Sequence, residues 1–102
     1  MAEKLLQINF KFNITKDEYE AAAKSLAGEF AKVDGLRWKV WIWNAAENEA
    51  GGIYLFENEA ALDAYLKGPL AAQVRSHPAL KEMNVKPFDV MADATAITRG
   101  PV

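Results

Sequence analysis

The sequence predicts an α+β protein in which an antiparallel four-stranded sheet carries its helices on one face. Three observations predict it. Apolar residues recur at period two in the stretches around Leu6–Phe12, Leu36–Asn44, Gly51–Phe56 and Met83–Val90, the pattern of strands. Between the first and second of these, and between the third and fourth, the period changes to that of an amphipathic helix. The resulting order, β-α-β-β-α-β, is that of the ferredoxin-like split βαβ arrangement.

Each element has a local cause. Leu6, Ile8, Phe10 and Phe12 alternate with Leu5, Gln7, Asn9 and Lys11, so the first strand has one strongly apolar face. Thr15 and Glu18 have the spacing of a capping box, with Asp17 and Glu18 at the positive end of the helix dipole. Tyr19, Ala22, Ala23, Leu26, Phe30 and Val33 then form one helical stripe of about five turns. Gly28 interrupts that stripe at a cost of about 1 kcal/mol relative to alanine, which suggests a close approach to the sheet. Asp34-Gly35 ends the helix, Gly35 serving as the left-handed C′ residue.

In the second strand Leu36, Trp38, Val40 and Ile42 oppose Arg37, Lys39, Trp41 and Trp43. The polar segment Ala45–Glu49 lacks a tight Asn-Gly signal, so a turn longer than two residues is expected. In the third strand Ile53 and Leu55 oppose Gly52, Tyr54 and Phe56, and Gly51-Gly52 suggests a bulge or the close approach of a backbone or ligand. Asn58 caps a second helix bearing Ala61, Leu62, Tyr65 and Leu66; Gly68-Pro69 breaks it, and His77-Pro78 closes a further helical piece. Pro87 assigns the last strand to an edge or a bulge. The tail from Met91 to Val102 has no clear period.

Composition bounds the function. The chain's 102 residues, 51% hydrophobic and 25% charged, fit a single domain over 1–102 with one core. The net charge of −2 and the lack of a basic stripe argue against nucleic acid as a partner. No stretch approaches the roughly 20 apolar residues of a membrane span, and a cytoplasmic location is expected. Without cysteine there is no disulfide, thiolate nucleophile or Cys-ligated metal, and a single histidine with scattered carboxylates gives no metal-binding motif.

Helices can cover only one face of such a sheet. Leu6, Ile8, Phe10 and Phe12, with Ile53 and Leu55, are the expected helix-facing set. The other face would then carry Gln7, Asn9, Trp41, Trp43, Tyr54 and Phe56. That face is too aromatic to leave in water, so a homodimer packed sheet against sheet is expected.

LLQINFKFN, LRWKVWIWN, EAGGIYLF, ALDAYL and KPFDV, in that order, resemble the YdhR-like "putative mono-oxygenase" family. The resemblance implies a dimeric α+β barrel, and kinship with cofactor-independent mono-oxygenases that oxidise aromatic polyketides. Such chemistry needs an electron-rich substrate that reacts with oxygen once deprotonated, held in a dry pocket beside a base or hydrogen-bond partner. Trp38, Trp41, Trp43, Tyr54 and Tyr65 can wall a site for a small aromatic or apolar molecule, with Trp38, Trp41, Tyr54 and Tyr65 as its binding residues. His77 and Tyr54 are the candidate catalytic residues, His77 because imidazole exchanges protons near neutral pH. Arg37 and Lys39 flank Trp38 and could attract an anion, but they are read as solvated strand positions, the commoner place for charges on a strand. The alternative to an enzyme is a dimer that binds a small apolar ligand without turning it over. A purely structural role, linked to stress, is a third reading.

Overall fold

The computed structural model describes residues 2–102. Strand β1 spans Lys4–Phe12, helix α1 Lys16–Ala31, β2 Leu36–Asn44, β3 Glu49–Phe56, α2 Glu59–Lys67, α3 Pro69–Arg75, β4 Leu80–Asp89 and α4 Ala92–Ile97. The four strands form one antiparallel sheet in the order β2-β3-β1-β4. Pro87 therefore lies on an edge strand, where its missing N–H costs no central ladder bond.

The helix starts are fixed by side chains. Thr15 Oγ1 accepts from the Glu18 N–H at 3.1 Å, and Glu18 accepts from the Thr15 N–H at 2.9 Å, closing the capping box. Asn58 caps α2 by accepting from the Ala61 N–H at 2.8 Å. Gly68 separates α2 from α3, which begins at Pro69. The β2–β3 connection is a short 3₁₀ turn, Ala45–Glu47, followed by Asn48 at φ 51°.

Three local expectations change. Helix α1 ends at Ala31, so Gly35 is not its C′ residue; at φ +79° it turns the chain into β2 instead. Gly28 faces open space, with nothing near a Cβ built on it, and marks no approach to the sheet. The tail contains a helical turn, α4.

The larger correction concerns the two faces of the sheet. Leu6 pairs with Tyr54, Ile8 with Gly52 and Phe10 with Ala50, while Tyr54 pairs with Lys39 and Gly52 with Trp41. Cross-strand partners share a face. Tyr54, Phe56, Trp41, Trp43 and Lys39 thus join Leu6, Ile8, Phe10 and Phe12 under the helices, and Ile53 and Leu55 turn away. Leu36 stays on the helix side because the register slips between Leu36 and Trp38. The core is built accordingly from Leu6, Ile8, Phe10 and Phe12 of β1, Tyr54 and Phe56 of β3, Phe30 of α1, Leu62 and Tyr65 of α2 and Ala71 of α3.

The outer face is polar at its centre. Gln7 donates to Asn9, and Asn9 donates to Glu49, both at 3.3 Å. At one end a row of apolar residues crosses all four strands: Phe88, Leu5, Leu55 and Trp38. Leu55 is fully buried yet stands outside the main core. Its cover is the C-terminal tail: the chain leaves β4 at Asp89 on one edge, and Trp38 on the other edge donates its indole N–H to the Pro101 carbonyl at 2.8 Å. The aromatic outer face expected from the sequence is therefore absent; Val40 and Phe88, each about half exposed, are its largest uncovered apolar groups.

Candidate functional site

Between α1 and the helix-facing side of the sheet lies a mostly apolar cavity of about 70 Å³. Phe10, Gly51, Tyr54, Lys39 and Trp41 come from the sheet. Tyr19, Ala22, Ala23, Leu26 and Phe30 come from α1, and Val74, His77 and Leu80 close it on the α3 side. The periodicity of α1 explains this wall: Tyr19, Ala23, Leu26 and Phe30 recur every three or four residues and face the sheet together. The two alanines leave the space that larger residues at the same positions would fill.

Lys39 is the one cation in this lining. Its ammonium stands 3.4 Å from the ring centroids of Phe30 and of Trp41, and 4.7 Å from that of Tyr54. Phe30 and Trp41 meet edge to face, 5.2 Å apart, and Tyr54 lies 6.1 Å from Phe30. The three ring faces favour the ammonium at this position. Among the described residues it makes no hydrogen bond and no ion pair, whereas Lys4 is paired with Asp89, Lys11 with Glu49 and Lys32 with Glu29. Burial lowers its pKa to about 7, and the ring faces, which favour the charged form, act in the opposite direction.

Gly52 makes that position possible. A Cβ there would lie 2.7 Å from Lys39 Cε and 3.1 Å from the Tyr54 ring. At Gly51 a Cβ would fall 1.8 Å from the Ile8 carbonyl oxygen, so the pair marks a close backbone approach rather than a bulge in the β1–β3 ladder.

Of the residues singled out in the sequence, Trp41, Tyr54 and His77 meet in this cavity. Tyr65 stands behind Tyr54, their hydroxyls 3.5 Å apart, and lines a separate groove between α1 and the α2–α3 junction. Burial raises the pKa of both phenols, so both stay protonated at neutral pH. Trp38 is not brought to the cavity; it lies on the outer face, tied to the tail. Trp43 borders a shallow neighbouring hollow, with the Lys16 ammonium 4.4 Å above its ring. His77 is exposed at the rim, and its Nδ1 accepts from the Ala79 N–H at 3.1 Å, which leaves Nε2 to carry the proton of the neutral ring.

Lys39 corrects the reading of that position as solvated; Arg37, by contrast, is surface-exposed and paired with Glu3 at 3.2 Å. The available signal was that Lys39 shares strand parity with Trp41 and Trp43 and faces a glycine-containing strand. Among the described residues no cluster of three or more His, Asp or Glu could hold a metal ion. No helix among them is long and apolar enough to cross a membrane.

Comparison with known proteins agrees with the fold and supplies the family. The family model described as "Putative mono-oxygenase ydhR" matches residues 5–101. The chain belongs to this family. Among solved structures it is similar to SnoaB of Streptomyces nogalater, a cofactor-independent oxygenase, with TM-score 0.72 and 17% identity over 88% of this chain and 94% of SnoaB. It is also similar to SO0527 of Shewanella oneidensis, with TM-score 0.71 and 15% identity over 87% of this chain and 91% of the other. A Bacteroides thetaiotaomicron protein described as a possible oxidoreductase aligns with TM-score 0.68 and 21% identity, over 87% and 98% of the two chains. At these identities the likeness is one of fold. No curated protein sequence matches the chain.

Proposed function

We propose that this member of the ydhR family is a cofactor-independent mono-oxygenase acting on a small aromatic or phenolic compound in the cavity between α1 and β2–β3. The observation that carries the reading is an aromatic-walled cavity whose lysine, Lys39, has no counter-charge among the described residues, in a chain of a mono-oxygenase family. The walls suit a flat apolar ring, and the cation suits the anion that such a ring becomes on ionisation.

The reaction balances with the substrate as the only reductant. A ring methylene, the keto form of an electron-rich phenol, loses a proton to give an enolate. That anion passes electrons to O₂. One oxygen atom ends as the new ring carbonyl and the other leaves as water: R₂CH₂ + O₂ → R₂C=O + H₂O. In this scheme the substrate ring packs against the Phe30 and Trp41 side chains, the Tyr54 hydroxyl is a neutral hydrogen-bond donor, and the proton passes to solvent at the rim, where the His77 Nε2–H donates a hydrogen bond. Tyr65 positions Tyr54 from behind. The cavity accommodates only a few water-sized groups as it stands, so a ring enters by swinging the Lys39 chain off its ring faces.

We further propose a cytoplasmic homodimer joined through the outer sheet face. Val40 and Phe88 are exposed there at 49% and 46%, beside half-buried Ile42 and Ile53. Sedimentation at micromolar concentration checks this, a monomer being the adverse result.

Oxygen uptake by the purified protein with anthrone-type and quinol substrates tests the activity. Uptake that falls at least tenfold in Tyr54→Phe or His77→Ala, with binding retained, supports the enzyme. Tight binding without uptake on any substrate makes the protein a carrier instead.

A further inference from the structure

We infer that Lys39 is the anion-recognition group of the cavity, and that it selects aromatic ligands bound through a single ionised oxygen, a phenolate or enolate. The inference deepens the oxygenase reading and rests on it for the choice of this cavity as the ligand site.

Three observations lead there. First, Lys39 is enclosed by the rings of Phe30, Trp41 and Tyr54 and, among the described residues, has no anionic partner. A partly buried cation without a counter-charge loses hydration at a cost, and ring faces offset only part of it. An anionic ligand supplies what is missing. Second, Gly52 leaves open the space that this side chain occupies: a Cβ there would lie 2.7 Å from Lys39 Cε and 3.1 Å from the Tyr54 ring, so the lysine would have to move aside. Third, an ammonium is a point donor, unlike the guanidinium fork that matches both oxygens of a carboxylate. The rest of the lining is almost wholly apolar. A phenolate spreads its charge into a ring that the same faces can stack, while a carboxylate would leave an oxygen unsatisfied.

The other titratable groups of the lining are Tyr19 and Tyr54, which burial keeps protonated, and His77 at the rim. None supplies a competing anion. With burial lowering the lysine toward neutrality, two routes give the same complex. The ammonium meets a phenolate, or the free amine takes the phenol's proton, ArOH + RNH₂ → ArO⁻ + RNH₃⁺.

The test uses p-nitrophenol, whose phenolate absorbs in the visible, and p-nitroanisole, which has the same ring and cannot ionise. The expected result is that the protein binds nitrophenolate about tenfold or more tighter than nitroanisole, the scale of one charge-assisted hydrogen bond. The bound nitrophenol should also ionise at lower pH than the free compound. Lys39→Met, of similar length and uncharged, should lose both effects and keep its nitroanisole affinity; Lys39→Arg should retain the preference for the anion. Equal binding of the two probes by the unaltered protein, a comparison that needs no variant, would overturn the inference. So would a Lys39→Met protein that still prefers nitrophenolate, or p-nitrobenzoate binding as tightly as nitrophenolate. Oxygen uptake separates the two readings. A Lys39-dependent phenolate preference with no uptake on any substrate sinks the oxygenase and leaves this inference standing. Undiminished uptake by Lys39→Met does the reverse.

Discussion

Tyr54 and Leu55 are neighbours on β3, and both are buried, but under different covers. Tyr54 faces α1 and α2 and packs against Phe30, Phe56 and Tyr65, with centroid separations of 5.4 to 6.2 Å. Leu55 faces the other way, under a tail tied to the sheet by the Trp38–Pro101 hydrogen bond. One cover is a continuous core contributed by helices and strands from the whole chain. The other is the last dozen residues, carrying Met91 and Ile97 largely exposed. Burial by itself therefore does not locate the cavity. The cavity and its lysine, unpaired among the described residues, lie on the face covered by the multi-element aromatic core.

The largest effect should come from breaking the aromatic side. Tyr54→Ala is expected to cost about 3–5 kcal/mol of stability, as for other buried aromatic truncations. Leu55→Ala should cost about 2 kcal/mol, the low end of its class, because a loosely held tail can settle into the space. Urea denaturation of both variants checks the order, and equal losses would erase the distinction between the covers.

Lys39 makes the stability of the aromatic side depend on pH. Its folded pKa is lowered to about 7 from 10.5. Between those values the unfolded chain holds a proton that the folded chain has released, so stability rises with pH across that window. As pH falls from 10.5 to about 7 that gain is lost, and below it the full cost of the partly buried charge applies. Lys39→Met removes the charge. Its stability advantage over the unaltered protein should be greatest below pH 7 and shrink steadily toward 10.5. Taking the difference between the two proteins cancels the opposing contribution of the buried tyrosines, whose raised pKa values make folding less favourable at high pH. A difference that stays flat with pH would mean that the ring faces hold the ammonium fully charged.

Gly51 connects the faces, since its missing Cβ lets β3 approach the Ile8 carbonyl. Gly51→Ala should cost about 1–3 kcal/mol through overpacking against backbone that cannot rotate away. A thermal melt measures this, and an unchanged midpoint would show that β1 and β3 can separate to admit the methyl group.

The elements were legible because each rests on local chemistry: the Thr15–Glu18 box, the period-two strands, Pro69 opening α3 and Pro87 at an edge. The faces were not, because alternation states which residues of a strand lie together and leaves open which way the set points. That choice belongs to register. Leu6 opposite Tyr54, rather than Ile53 or Leu55, sends every aromatic of the hairpin except Trp38 under the helices. The same register carries Lys39 inward, against the ordinary preference of lysine for water, and only a cavity with ring faces and a glycine at its floor accommodates it. Trp41, Tyr54 and His77 could be singled out by residue type alone. Their meeting depends on α1 and α3 closing over one patch of the sheet.

The smallest expected effect lies on the loose side. Trp38→Phe keeps an aromatic ring over Leu55 and removes only the indole N–H that binds the Pro101 carbonyl. That carbonyl can turn to water, so the global cost should be about 0.5–1.5 kcal/mol. The local consequence should be larger than the global one. With its tie gone the tail opens without the sheet unfolding, and amide exchange in Ala92–Ile97 should quicken while that of Tyr54 and Phe56 stays at the rate set by global unfolding. If exchange in α4 and in β3 instead rises together, the tail is part of the same cooperative unit as the core. The two covers would then differ in composition and not in strength.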